Sequence, residues 1–143
     1  MEIIIKSPID IKAIDHVVLR ASNAQALVAF YCEVLGCSIE RELPEETGLT
    51  QLRAGSGLID IIALESKLGK LGGEGPGREG HNMDHLCLAI ESIDEKSLID
   101  FLKSNNVHCG EVSERYGAGG FGRSVYLKDL EGNTIELKLM PVC

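Results

Sequence analysis

The chain runs through one order of elements twice, and an internal repeat limits the possible architectures more than composition does. The first copy opens with "IDHVVLR", an alternating strand pattern from Ile14 to Arg20. "SNAQALVAFYCEVLG" follows, with Ser22 and Gln25 spaced as a capping box and Ala26, Leu27, Phe30, Tyr31 and Leu35 at helical intervals. Three short β-prone runs come next, "CSIERE", "GLTQLRA" and "GLIDIIAL", punctuated by Pro44, Gly48, Gly55 and Gly57. The copy reads β-α-β-β-β.

The second copy keeps the order. "MDHLCLAI" is its first strand, and Ser92 with Glu95 predicts a second capping box ahead of a helix whose apolar side is Ile93, Leu98, Phe101 and Leu102. "VHCGEVS", a Gly-rich bend "GAGGFG", "RSVYLKD", a turn at "LEGN" and a last strand "TIELKLM" complete it. Between the copies, "ESKLGKLGGEGPGREGH" is Gly-rich and of mixed charge, the composition of a flexible connection. The reading is one domain over 1–143, built of module 14–64 and module 83–140 joined by linker 65–82, of α+β class.

A chain of 143 residues buries roughly two-thirds of its unfolded surface and needs no covalent staple. Its net charge of −8 opposes contact with phosphate backbones, so nucleic acid is not an expected partner. No apolar run approaches the roughly 18 residues of a membrane span, which makes a cytoplasmic location the expectation. Cys32, Cys37, Cys87, Cys109 and Cys143 form no CxxC pair and read as reduced thiols, with Cys87 packed inside its strand as a small hydrophobe.

The chemistry lies in the register. Period-two alternation sets His16 on one face with Val18 and His85 with Cys87, while Asp60 opposes Ile59 and Ile61, and Glu136 opposes Ile135 and Leu137. Each copy thus supplies one imidazole from its first strand and one carboxylate from its last. An acid inside an apolar strand is costly unless it is paired or bound to a cation. If the two faces line a shared concavity, His16, Asp60, His85 and Glu136 converge on a metal site.

At these residues, with "IDHVVL", "FYCEVLG", "HNMDHLCLAI" and "GRSVYLKDLEGNTIEL", the chain resembles the vicinal oxygen chelate superfamily of glyoxalases, bleomycin resistance proteins and extradiol dioxygenases. The resemblance covers about Ile14 to Met140. It implies two modules forming an open, mostly antiparallel, barrel-like cleft with helices outside, around one divalent ion (Zn, Ni, Mn or Fe). His16, His85 and Glu136 carry over as ligands; Asp60 aligns with a fourth ligand that the glyoxalase branch supplies as Glu, one methylene longer. The implied activity is that of a lyase or isomerase chelating a small oxygenated substrate through two oxygens and stabilising enolate-like charge, with Asp60 or Glu136 as base. Alternatives are an extradiol-type Fe(II) dioxygenase, a fosfomycin-type epoxide-opening enzyme and a non-catalytic antibiotic-binding protein. Family members often form homodimers, with the site inside one chain or completed across two.

Several neighbours are candidate substrate contacts. Arg20, in phase with His16, and Lys138, in phase with Glu136, suit an anionic substrate or simple solubility. In "RYGAGGFGRS", Arg115 to Ser124, the glycines fit either a mobile cover bringing Tyr116, Phe121 and Arg123 to a ligand or a plain hairpin connection. Tyr126 is a further candidate, and His81 belongs to the loop entering its strand.

Overall fold

The structure is a computed structural model describing residues 7–141, so Cys143 and the ends of the 1–143 span lie outside the described residues. The first module consists of β1 (His16–Ala21), α1 (Ala24–Glu33), β2 (Ser38–Glu42), β3 (Leu49–Ala54) and β4 (Gly57–Ala63). The second consists of β5 (Leu86–Ile90), α3 (Glu95–Ser104), β6 (Ser113–Gly117), β7 (Gly120–Lys128) and β8 (Thr134–Leu139). Each forms a four-stranded sheet, in order β1-β4-β3-β2 and β5-β8-β7-β6, so the repeat is topological as well as sequential. In both, the first and last strands pair in parallel and the remaining pairs are antiparallel. The sheets are open, without closing into a barrel, which agrees with the α+β reading.

One face of each sheet is apolar and covered. Leu19, Ala21, Leu52, Ile59 and Ile61 of the first sheet, Leu27, Phe30 and Tyr31 of α1, Val125, Leu127, Ile135 and Leu137 of the second sheet, and Leu98 and Leu102 of α3 are all buried. These buried residues form one cluster, where truncating a leucine to alanine costs about 2–5 kcal/mol. Polar contacts at the β7–β8 turn lock the modules together. The buried Tyr31 hydroxyl donates to Asp129 Oδ2 at 2.7 Å, and Glu131 accepts from the Ser22 amide at 2.7 Å and the Asn23 amide at 3.2 Å. Asn82 Nδ2 joins the Arg20 carbonyl to Asn133 Oδ1 at 3.0 and 3.1 Å. Burial, with the Asp129 charge and hydrogen bond, pushes the Tyr31 phenol far above its ordinary range.

Several local expectations give way to tertiary demands. Asn23, rather than Ser22, caps α1 by accepting from the Ala26 amide at 3.1 Å, because Ser22 is claimed by Glu131. Asp94, rather than Ser92, caps α3 through the Ser97 amide at 3.0 Å, and Glu95 pairs with Arg123. Ile93 and Phe101 remain about two-fifths exposed, so the buried stripe of α3 is narrower than its sequence suggests. "VHCGEVS" contributes only the Cys109–Leu127 bridge before β6 begins at Ser113.

The linker is not uniformly flexible, since Lys67–Leu71 form a short helix, α2. It lies so close to the end of β4 that a Cβ on Gly69 would stand 2.0 Å from the Ala63 carbonyl oxygen. The stretch Arg115–Ser124 is a hairpin, with Gly117 paired to Gly120 across a two-residue turn. Two of its glycines have a packing reason: a Cβ on Gly117 or Gly122 would come within 2.7 and 2.9 Å of the Lys138 side chain, which lies across the strands. No helix among the described residues is long and apolar enough to cross a membrane.

Candidate metal centre

The faces of the two sheets opposite the core carry the candidate ligands. In the first sheet the parallel register sets Asp60 beside Val18, on the face His16 shares, and the β3–β4 hairpin sets Gln51 on the other side of Asp60. Asp60 is only 3% exposed. Its Oδ2 accepts from Gln51 Nε2 at 3.1 Å, and Gln51 Oε1 accepts from Arg41 Nε at 2.7 Å. Asp60 Oδ1 is buried with no hydrogen-bond partner among the described residues. Leaving a buried polar atom unpaired costs about 1–3 kcal/mol, and more when it is charged, so this oxygen marks a place where a cation or a donor belongs.

The second sheet repeats the arrangement. Glu136 lies between Cys87 on β5 and Tyr126 on β7, the position Gln51 takes beside Asp60. Glu136 is buried, and its Oε1 stands 3.3 Å from His85 Nε2. The Tyr126 ring meets His85 edge-on at 5.4 Å, and the Arg115 guanidinium covers it at 4.5 Å. Arg115 also donates to the Ser124 carbonyl at 2.6 Å. Cys87 is exposed on this polar face instead of packed in the core, and partial desolvation of its thiol, followed by the Glu136 charge, pushes it upward.

The residue before each histidine has a definite part. Asp15 Oδ1 meets His16 Nδ1 and Asp84 Oδ2 meets His85 Nδ1, both at 2.6 Å. An ionised carboxylate only accepts, so Nδ1 carries the proton and Nε2 is left with the lone pair that binds metals. The Asp15 hydrogen bond raises His16 above the usual imidazole range against desolvation, with the Asp60 charge adding to it. At His85 the consequence is sharper: a lone pair on Nε2 and a carboxylate oxygen face each other at 3.3 Å. They repel unless positive charge lies between them, either a proton on the imidazole or a metal ion. Two ligand atoms each about 2.0–2.1 Å from a tetrahedral ion stand about 3.3 Å apart, so the pair fits such an ion.

The structure brings the four expected ligands together as two pairs rather than one quartet. Among the described residues of one chain, no three His, Cys, Asp or Glu side chains gather to hold an ion. The neighbours are largely occupied. Arg20 holds the linker through the Gly73 and Glu74 carbonyls at 3.0 and 2.9 Å, Lys138 donates to the Gly120 carbonyl, and Arg123 pairs with Glu95. Tyr116 and Phe121 stack edge-on at 5.0 Å at the hairpin tip, both well exposed. His81 lines a cleft of about 1160 Å³ between the linker and Val18 on the open face of β1.

Sequence reading did not single out Gln51, Arg41 and Arg115. A two-residue turn at Gly55–Ser56 pairs Ala54 with Gly57 and, counting outward, Gln51 with Asp60, so the hairpin register was the available signal for Gln51.

Solved structures share this architecture. A protein from the mobile metagenome of V. pseudocholerae superposes with a TM-score of 0.71 at 23% identity, over 94% of this chain and 98% of its own. A genomically encoded fosfomycin resistance protein from Listeria monocytogenes gives 0.65 at 16%, over 93% and 97%. Lactoylglutathione lyase from Agrobacterium tumefaciens gives 0.59 at 18%, over 89% and 92%. At such identities the likeness is one of fold. No curated protein matches the sequence. The family profile matches residues 13–137, nearly the whole chain, and with the paired β-α-β-β-β modules it shows that the chain belongs to the Glyoxalase/Bleomycin resistance protein/Dioxygenase superfamily.

Proposed function

We propose that this protein is a divalent-metal-dependent enzyme of the glyoxalase type, acting on a small molecule with two adjacent oxygens. The observation that carries this reading is the matched pair of half-sites, each with an aspartate-held imidazole and a buried carboxylate, one of which keeps an unpartnered oxygen. His16 and Asp60 of one chain, with His85 and Glu136 of a second copy, would hold the ion. The sharing is supported by the absence, among the described residues of one chain, of any three His, Cys, Asp or Glu side chains gathered to hold an ion.

Imidazole and carboxylate donors suit Zn, Ni, Mn or Fe, and such an ion supplies Lewis acidity to a chelated substrate. The chain's own residues do the rest. Asp15 and Asp84 fix the ring nitrogens, and Arg115 packs on Tyr126 and so holds the wall beside Glu136. Asp60 or Glu136 takes the proton from the carbon next to the substrate carbonyl and returns it to the neighbouring carbon. The hydroxyl proton passes to the adjacent oxygen, so the conversion is an isomerisation with no atom lost. The net charge of −8 and the free thiols of Cys32, Cys37, Cys87 and Cys109 support a cytoplasmic protein that does not bind nucleic acid.

The test is turnover of the hemithioacetal formed from a 2-oxoaldehyde and a thiol, by protein loaded in turn with Zn, Ni, Mn and Fe. Turnover with at least one ion, lost in Glu136→Ala, supports the reading. Metal binding without turnover of this substrate removes the glyoxalase assignment.

A further inference from the structure

Asp60 is the acid whose length departs from the glutamate of the glyoxalase branch, and it is also the one set in a line of side chains across three strands. Arg41 on β2 donates to Gln51 Oε1 at 2.7 Å, and Gln51 on β3 donates through Nε2 to Asp60 Oδ2 on β4 at 3.1 Å. The bulge in the β2–β3 pairing, between Ile39 and Arg41, brings Arg41 opposite Gln51, so the line is built into the backbone register. A glutamine amide has one acceptor end and one donor end. With Arg41 fixed on the oxygen, the NH₂ group must face Asp60.

This polarity decides what Asp60 presents. Its short side chain has two χ angles, and a single donor on Oδ2 selects the orientation in which Oδ1 is the remaining acceptor. That acceptor is buried and has no partner among the described residues. An unpartnered oxygen on a side chain 3% exposed, on the face of His16, is the feature that points to a ligand. The second sheet has Tyr126 where the first has Gln51, with Arg115 over its ring, so each half-site backs its acid with a neutral polar side chain and then an arginine.

We propose that Gln51 is a positioning residue for the metal site: oriented by Arg41, it occupies Asp60 Oδ2 and thereby aims Oδ1 at the divalent ion. This rests on the reading that Asp60 belongs to that site. Gln51 does not touch the ion, and Arg41 acts only through Gln51. The relay offsets the shorter acid by restricting its orientation, since outer partners of a ligand typically set 10–100-fold in metal affinity.

The experiment measures Zn affinity of the full chain by chelator competition, for wild type, Gln51→Met, Arg41→Met, Asp60→Asn and Gln51→Met/Asp60→Asn, with His85→Ala as the broken-site control. Thermal unfolding is recorded for each. Gln51→Met is expected to weaken Zn binding about tenfold or more, Arg41→Met less but in the same direction, and Gln51→Met to add little once Asp60 is Asn. The exposed Arg41→Met variant carries the test if Gln51→Met does not fold. Wild-type affinity in either variant, or full additivity of Gln51→Met with Asp60→Asn, overturns the proposal while leaving the site in place. Unchanged affinity in Asp60→Asn alongside loss in His85→Ala overturns it by removing Asp60 from the site. A wild type that holds no Zn, Ni, Mn or Fe overturns both this inference and the function it rests on.

Discussion

The two half-sites have the same plan but differ in reach. In the second sheet, Glu136 approaches the imidazole to 3.3 Å and is flanked by Tyr126 under Arg115. In the first, Asp60 is one methylene shorter, its flank is Gln51 under Arg41, and one oxygen has no partner. The topology, the register and the aspartate before each histidine are shared. A duplicated scaffold thus repeats where an imidazole and a carboxylate stand, while single side chains differ between the halves. On the proposed function, the His85–Glu136 half is the anchor and the His16–Asp60 half the adjustable part.

The anchor can be attacked first. Glu136→Ala or His85→Ala should reduce Zn affinity by about 100-fold or more, because each removes one of the four donors proposed for the ion. Asp60→Asn should cost nearer tenfold, and competition titration that finds Asp60→Asn the more damaging change would invert the comparison. Asp15→Asn and Asp84→Asn should each weaken binding by about tenfold, since each histidine exchanges a charged acceptor for a neutral amide oxygen that holds the Nδ1 proton less firmly. A large effect at only one of them, in the same titration, would show that the halves are not equivalent.

Smaller effects test the frame that joins the halves. Tyr31→Phe should destabilise the chain by about 1–2 kcal/mol in urea unfolding, because it takes a buried donor from Asp129, which still accepts from the Glu131 and Asn133 amides. The surface pairs Glu40–Arg53 and Glu95–Arg123 hold one place in each module, and in both the arginine draws the glutamate below its ordinary 4.5. A carboxylate depressed in the folded state adds stability above its unfolded pKa and loses it as pH falls through the folded value. Glu40→Gln and Glu95→Gln should therefore be slightly less stable than wild type at neutral pH, and thermal melts should converge with it as pH falls below 4.5 and through the depressed folded values.

The fold was largely legible because strand periodicity and the repeat are local signals that tertiary contacts reinforce. Asp60 and Glu136 opposite their apolar neighbours, and His16 and His85 at the strand starts, could be read from alternation alone. The helix caps could not be read, since Ser22 and Ser92 are as suitable locally as Asn23 and Asp94, and Ser22 is taken by Glu131, 109 residues away. Gly117 and Gly122 read as a bend, whereas their bare backbone makes room for Lys138, a contact no local window contains. Cys87 read as core because its neighbours are apolar, yet its face is set by Glu136 on another strand. Alternation gave each half of the site; it carried no information on whether the halves meet in one chain.

Whether the halves meet across two copies is tested by mixing two broken variants. His16→Ala and His85→Ala are each prepared without bound Zn, mixed in equal amounts, unfolded and refolded together, and the tightly held Zn is counted. If the site is shared between two copies, half the pairs are mixed and each mixed pair has one complete site, so binding returns to about a quarter of the wild-type level. No recovery from the mixture, with wild type binding one ion per site under the same treatment, would contradict the shared metal centre.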